Sequence, residues 1–148
     1  MGRSLESWAS SPGARATMVA NRRRDTAPEL RLRSELHRRG LRYKVDAAPT
    51  VGIRRRADLV FSAARVAVFV HGCFWHGCPI HYVAPRTNAE FWREKLRANR
   101  ARDADTNARL LAAGWIAFVV WEHDDFIQSA DELEVLVRSR RVSNRNLD

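Results

Sequence analysis

The chain has 148 residues, of which 45% are hydrophobic, and it carries 26 Lys and Arg against 17 Asp and Glu. This length suits one domain with a buried core, and this composition excludes a disordered chain. No stretch is apolar enough to cross a membrane, residues 1–17 contain no secretory signal, and two cysteines are too few for a disulfide framework, so we expect a cytoplasmic protein with no membrane partner.

The net charge of +9 is concentrated in the first third of the chain. Residues 1–56 contain 14 Lys and Arg but 5 Asp and Glu, whereas the two classes balance in the remainder. The densest stretches are "NRRRD" at 21–25 and "RRR" at 54–56. Guanidinium groups match phosphate oxygens, so this pattern favours a polyanionic partner, most simply nucleic acid. The alternative is a solvated, arginine-rich surface.

The first predicted elements are an arm and a helix. Residues 1–17 are rich in Ser, Ala, Gly and Arg and predict a flexible N-terminal arm. A helix is predicted from Thr26 to about Arg39. Thr26 and Glu29 have the spacing of a capping box, and Gly40 follows the helix as a stop signal.

The remaining elements follow from hydrophobic periodicity. Alternating or apolar runs predict strands, a second capping box predicts a long helix, and an apolar stripe predicts a final helix. In chain order these are strands at 41–46, 57–61 and 65–70, a helix from Thr87 and Glu90 to about Ala113, a strand at 115–121 and a helix at 129–139. Because the 65–70 strand is apolar after Arg65, we expect it in the sheet interior. The order predicts an α/β domain with a mixed central sheet flanked by helices.

Both cysteines and three histidines lie in "HGCFWHGCPIHY" at 71–82. Cys73, Cys78 and His81 have thiolate and imidazole groups at a spacing that suits zinc. His123 follows the 115–121 strand and is the best fourth ligand, provided that this strand pairs with the 65–70 strand. The alternatives are two buried free cysteines with surface histidines, or one disulfide.

The other residues of this cluster predict chemistry and DNA contact. His71 and His76 flank "GCFW" and suit acid–base catalysis, because imidazole titrates near neutral pH. Ordinary surface histidines are the alternative. Phe74 and Trp75 lie in a predicted loop that a metal would hold rigid, and such aromatics suit insertion between bases. Core packing is their alternative.

Three carboxylates are candidates for a catalytic site. Asp58 opens the 57–61 strand, as the metal-binding acid of a nuclease does, although a strand-edge charge is the alternative. Asp103 shares a face of the long predicted helix with Asn99 and apolar residues, so these polar groups need partners or face a site. Glu29 either completes its capping box or joins the site if the first helix begins beside Asp58.

These segments together resemble the very short patch repair endonucleases, the Vsr-type DNA mismatch nucleases. The resemblance runs from Met18 to Phe126 and rests on "RDTAPE", "RADLVF", "VFVHGCFWHGC", "RTNAEFWREKLRANRARD" and "LLAAGWIAFVVWE" in that order. The "HGCFWH" segment is the most specific. The resemblance implies a restriction-endonuclease-like α/β core with a structural zinc site, in an endonuclease domain at 18–140 followed by a tail at 141–148.

The resemblance also implies catalytic roles. Asp58 and the backbone carbonyl of Val70 would bind magnesium, and His76 would be the general base. The second active-site histidine would be His71, and further acids would complete the site, namely Glu29 and Asp103.

The metal and DNA contacts are implied in the same way. The structural zinc ligands would be Cys73, Cys78, His81 and His123. The residues inserted at the mismatch would be Phe74, Trp75 and Met18. The residues that grip phosphates would be Arg22, Arg23, Arg24, Arg54, Arg55 and Arg56.

The sequence departs from the family at two points and agrees with it at a third. Val70 stands where the best-known members have threonine, although its backbone carbonyl is retained. The order of cysteine and histidine ligands differs from the first-described zinc pattern. No lysine follows Asp58 before Lys95, and the family also lacks the lysine that is usual in restriction-type nucleases.

The implied activity is magnesium-dependent nicking of duplex DNA 5′ to the thymine of a T:G mismatch that arises from deamination of 5-methylcytosine. We expect a monomer that initiates very short patch repair, with mismatch-repair proteins and a DNA polymerase acting downstream. The alternatives are a restriction or mobile-element endonuclease with a different DNA target, a non-catalytic DNA-binding protein and a structural zinc protein.

Overall fold

The computed structural model describes residues 26–80 and 82–145, with the backbone alone at Phe74 and Trp75. None of its helices is long and apolar enough to cross a membrane. The elements in chain order are α1 (Ala27–Arg38), β1 (Lys44–Ala47), β2 (Ala57–Phe61), β3 (Val66–His71), α2 (Cys73–His76), α3 (Ala89–Ala112), β4 (Ile116–Trp121) and α4 (Phe126–Arg145).

The four strands form one mixed sheet in the order β1-β2-β3-β4. β2 pairs antiparallel with both β1 and β3, and β3 pairs in parallel with β4 from Val66–Ile116 to His71–Trp121. The prediction of a mixed sheet with an interior β3 is confirmed. This α/β arrangement fits a restriction-endonuclease-like core, and α3 is the crossover that a parallel β3–β4 pair requires.

Apolar side chains lie on both faces of the sheet, because successive residues of a strand point to opposite faces. Val66 and Val68 of β3 contribute to a core with α1 and α4, whereas Ala67 and Phe69 contribute to a core with α3. A leucine in such a core stabilises the fold by about 1.5–3 kcal/mol relative to leaving it exposed. A strand enclosed on both sides is a rigid support for the residues at its end.

Neither predicted capping box forms. Thr26 precedes α1 in an extended conformation without a side-chain cap, and the side chain of Glu29 is buried in the protein instead. α3 begins after Asn88, which has a left-handed backbone with φ of 57°, and the exposed Glu90 pairs with Arg93 at 2.9 Å. Asparagine tolerates this conformation, so it replaces Thr87 at the helix start.

Two further predictions need correction. The apolar run at 115–121 predicts a buried strand, but within β4 Val120 alone is buried and Val119 is 41% exposed, because β4 lies at the edge of the described sheet. The last helix was predicted to end at 139, but α4 continues to Arg145. Within that extra length, Asn144 donates from Nδ2 to the carbonyl of Ala63 at 3.0 Å.

Candidate active site and metal centre

The candidate residues meet where β3 and β4 leave the sheet. Because the two strands are parallel, their carboxyl ends lie side by side, and the backbone N–H of Glu122 donates to the carbonyl of His71 at 2.9 Å. The segment after β3 contains the cysteines, and the segment after β4 contains His123. The prediction that strand pairing brings these segments together is confirmed.

The segment predicted as a loop forms the short helix α2. Its first backbone N–H, that of Cys73, donates to the Glu122 carboxylate at 3.0 Å. Gly77 ends α2 with a φ of +64°, and a Cβ there would lie 2.6 Å from Leu96 of α3. Arg100 of α3 donates to the carbonyl of Gly77 at 3.0 Å. These contacts fix α2 between the end of β4 and helix α3, and glycine is required where it packs so closely.

Two thiols and one imidazole converge beneath α2. The Sγ atoms of Cys73 and Cys78 lie 3.2 Å and 3.5 Å from Nδ1 of His123. Both cysteines are buried and free, so the disulfide alternative is absent. The pKa of Cys73 is raised to about 12, chiefly by burial and also by Cys78 and Glu122. Two thiols and an imidazole with facing ligand atoms are a donor set that suits zinc.

The environment of His123 fits the same interpretation. Its second ring nitrogen, Nε2, lies 3.4 Å from Oδ1 of Asp124. A carboxylate on the far side of a histidine is the usual partner that orients a metal-binding imidazole. His81, the remaining predicted ligand, lies outside the described residues.

His71, His76 and Asp103 form a second group. Nδ1 of His76 lies 2.6 Å from Oδ2 of Asp103 on α3. An ionised carboxylate only accepts hydrogen bonds, so Nδ1 carries the proton and Nε2 of a neutral His76 retains its lone pair. The rings of His71 and His76 stack at 3.8 Å with an angle of 5° between their planes.

The protonation states of this group follow from its surroundings. The pKa of His71 is lowered to about 4, chiefly by burial and also by the charge of His76, so His71 is neutral at pH 7. Burial alone would raise the pKa of Asp103, but the hydrogen bond from His76 and the nearby cations outweigh burial and lower it. A neutral imidazole therefore lies against an imidazole that an ionised carboxylate orients.

Asp58 lies where the β2–β3 ladder ends. The last backbone pair joins Leu59 to Val68, and beyond it the N–H of Val70 donates to the Asp58 side chain at 2.7 Å. The pKa of Asp58 is raised to about 6, chiefly by burial and also by the charges of Glu29 and Asp46, against the effects of Val70 and Arg55. The buried Glu29 of α1 therefore lies near enough to Asp58 for its charge to act on that carboxyl, and it does not form the predicted capping box.

The charge of Arg55 acts both on Asp58 and on the group formed by His71, His76 and Asp103. Its Nη1 lies 2.8 Å from Oδ1 of Asp103, and its charge acts on Asp58, His71 and Asp103. Composition alone did not identify this arginine as different from its two neighbours in the "RRR" run. Nor did any sequence signal single out Glu122, which fixes the start of α2.

The structure thus groups most of the predicted site residues at one end of the sheet. The predicted residues that lie outside the described part are Met18, Arg22, Arg23, Arg24 and His81. The side chains of Phe74 and Trp75 are likewise not described, although their backbone forms the middle of α2.

Comparisons with known proteins agree on one family. The family profile described as DNA mismatch endonuclease Vsr matches residues 11–81. The chain is 46% identical over 115 residues to the type II nicking enzyme V.NaeI of Lentzea aerocolonigenes, covering 76% of the chain and 69% of that protein. It is 41% identical over 110 residues to the type II nicking enzyme V.XorIIP of Xanthomonas oryzae, covering 73% and 78%.

The chain is also 42% identical over 100 residues to the DNA mismatch endonuclease Vsr of Escherichia coli strain K12, covering 67% of the chain and 62% of that protein. These matches include the β2, β3 and α2 segments that form the site. The chain belongs to the Vsr family of DNA mismatch endonucleases.

Proposed function

We propose that this endonuclease nicks duplex DNA 5′ to the thymine of a T:G mismatch, in a reaction that depends on magnesium. Family membership supports the nuclease activity, and the relative from Escherichia coli is named a mismatch endonuclease. The observation that carries the catalytic assignment is the hydrogen bond between His76 and Asp103 at 2.6 Å.

His76 is the general base in this proposal. Its Nδ1 is held by Asp103, so Nε2 is the atom that accepts a proton from the attacking water. The carboxylate orients the ring and stabilises the imidazolium that forms. His71, kept neutral by burial, adds no positive charge that would oppose proton transfer to the stacked His76 ring.

Asp58 is the proposed magnesium-binding carboxylate, together with the backbone carbonyl of Val70. The residues fit this role because Asp58 lies among the negative charges of Glu29 and Asp46, which raise its pKa and which a divalent cation would relieve. Bound magnesium supplies Lewis-acid stabilisation of the scissile phosphate and of the leaving oxygen. Glu29 would contribute through its charge and by orienting bound water.

Cys73, Cys78 and His123 are proposed as ligands of a structural zinc ion, with His81 as the fourth. The convergence of two thiols on one imidazole supports this assignment. Zinc would join the end of β3 to the end of β4 and would hold α2, which carries His76. The metal would thereby fix the position of the base without touching the substrate.

DNA binding is assigned to residues around this site. Arg54 is exposed on the segment before β2 and suits a phosphate contact. Phe74 and Trp75, on the fixed α2 backbone, and Met18 are proposed to insert at the mismatch and to kink the duplex. The proposed phosphate contacts in the N-terminal arginine run are Arg22, Arg23 and Arg24.

The test is a nicking assay on short, end-labelled duplexes that differ at one pair. T:G, T:C and T:A versions are compared in magnesium, and the bases that flank the pair are varied. We expect a single nick 5′ to the thymine of the T:G duplex and little or no cleavage of the paired duplex. Equal cleavage of the three duplexes would contradict the proposed substrate. So would a lack of cleavage of the T:G duplex with every set of flanking bases.

A second candidate is nicking at a different DNA target. It is favoured by the names of two relatives, which are called type II nicking enzymes. The same residues would act on another duplex in that case. Cleavage of a fully paired sequence at a rate above that of every mismatched duplex would establish this candidate.

A further inference from the structure

The three consecutive arginines at 54–56 have three different environments. Arg54 is exposed and forms no ion pair or hydrogen bond with residues 26–80 or 82–145. Arg56 is largely exposed and pairs through Nε with Asp46 at 3.0 Å. Arg55 is mostly enclosed, with 23% of its side chain exposed. With respect to the part of the chain that the structure describes, this run of three arginines therefore contains one cation without a partner and two with one.

Arg55 and His76 share a single carboxylate. Nη1 of Arg55 lies 2.8 Å from Oδ1 of Asp103, and Nδ1 of His76 lies 2.6 Å from Oδ2 of the same group. The exposed fractions of the three side chains are 23%, 17% and 21% for Arg55, His76 and Asp103. Oδ2 is hydrogen-bonded to the imidazole, whereas Oδ1 faces the Arg55 guanidinium in an ion pair without hydrogen-bond geometry, so charge attraction on one side and a hydrogen bond on the other restrain the carboxylate.

The sheet fixes Arg55 in turn. Its guanidinium carbon lies 5.6 Å from the centroid of the Phe69 ring, at a distance typical of a cation–π contact. Phe69 belongs to the interior strand β3 and lies two residues before His71, on the same face. A planar guanidinium stacks on an aromatic ring and binds a carboxylate at once, which an ammonium group does less well.

We propose that Arg55 is a positioning residue of the active site, which orients Asp103 and through it His76, and that it is not a phosphate contact. The proposal rests on the assignment of His76 as the base. The "RRR" run alone would give Arg54 and Arg55 the same role, whereas the proposal gives them different roles. It also explains why an arginine directly beside a DNA-binding surface is enclosed.

The main experiment measures single-turnover nicking at saturating enzyme, together with DNA affinity over a range of salt concentrations. Misplacing a catalytic group by about 1 Å can cost roughly 100-fold in rate, so Arg55→Gln is expected to slow nicking by about that factor. Its Kd for DNA and the salt dependence of that Kd should stay unchanged. Arg55→Lys should recover part of the rate, because it restores the positive charge without the planar fork.

Two comparisons sharpen the experiment. Arg109 pairs with Asp105 at 2.9 Å on the exposed face of α3, so Arg109→Gln removes an arginine–aspartate pair on the same helix and should nick at the wild-type rate. Arg54→Gln should weaken DNA binding and reduce the salt slope by about 0.9, the value for one phosphate contact. In an Asp103→Asn background, Arg55→Gln should cause no further loss of rate, because its effect passes through that carboxylate.

A wild-type nicking rate for Arg55→Gln, with a salt slope reduced as in Arg54→Gln, would overturn the proposal.

An NMR measurement without DNA tests the role of Arg55 independently of the proposed function. The Nδ1–H proton of His76 that bonds to Asp103 should give a low-field NMR resonance, lost in Arg55→Gln and kept in Arg109→Gln. If the wild-type protein nicks a duplex other than T:G, the same variants are tested on that duplex. If Arg55→Gln does not fold, full activity in Arg55→Lys would count against the planar fork.

Discussion

Helix α1 carries two buried carboxylates, Glu29 in its first turn and Glu35 near its end, and they meet opposite environments. Glu35 accepts hydrogen bonds from Arg38 and Arg39, and these lower its pKa to about 2. Arg39 also forms an ion pair with Asp131 of α4, in which Nη1 lies 2.6 Å from Oδ1. This end of the helix is a network of paired charges that joins α1 to α4.

The first turn of α1 brings like charges together. Glu29 lies close enough to Asp58 for its charge to raise the pKa of that carboxyl, which burial raises most. The difference between the two ends shows what each one does. Paired charges hold two helices in place, whereas neighbouring carboxylates repel one another and suit a divalent cation.

The largest expected effect comes from the base. His76→Ala should reduce nicking by about 10²–10⁴-fold, the usual contribution of a general base. Binding of the mismatched duplex should persist, because the substitution leaves the arginines and α2 in place. Single-turnover kinetics and a binding titration measure the two quantities. Normal turnover by this variant would remove His76 from the mechanism.

Loss of the proposed metal centre should act on stability first. Cys73→Ala removes one proposed zinc ligand, so we expect lower zinc content, lower solubility and a clearly lower Tm, since ligation energy contributes to folding. Metal analysis and thermal unfolding test this. An exposed residue with no metal role, as in Val142→Ala, is the control. An unchanged Tm for Cys73→Ala would count against the zinc site.

The repulsion of the Asp58 carboxylate by Glu29 and Asp46 can be removed by one substitution. Asp58→Asn keeps an oxygen that can accept from the Val70 N–H but removes the charge, so the protein should be more stable at pH 7 without added magnesium. A carboxyl whose pKa rises on folding from 3.8 to about 6 costs stability once it is ionised, by about 2–3 kcal/mol here. Nicking should be lost. Denaturant unfolding of both proteins measures the difference, and a destabilised variant would contradict the prediction.

The paired end of α1 should respond in the opposite direction and more weakly. Glu35→Gln should lower the Tm at neutral pH, since it removes the partner of Arg38 and Arg39. The pKa of Glu35 is lowered on folding, so its stabilisation is complete above about 4.5 and is lost as the pH falls towards 2. The difference in Tm between variant and wild type should shrink over that range. A constant difference would show that the charge is not responsible.

Sequence patterns located the strands well because burial on two faces demands apolar residues. The 57–61 segment was predicted with the bounds that β2 has, and the meeting of His123 with the cysteines followed from parallel pairing. The errors arose where tertiary contacts overrode local rules. Glu29 had the spacing of a capping residue but is buried beside Asp58, and nothing in the "RRR" run distinguishes Arg55, because its role depends on a carboxylate 48 residues away on α3.

Because the long helix α3 separates β3 from β4 in the chain, the two parts of the proposed zinc site are synthesised at different times. Cys73 leaves the ribosome 50 residues ahead of His123. At about 5–20 residues per second, the nascent chain presents its two thiols for roughly 3–10 s before the imidazole and the strand that shelter them exist. Oxidant present during that interval would reach cysteines that the finished protein encloses, so the yield of active enzyme should depend on reducing conditions during expression rather than during storage.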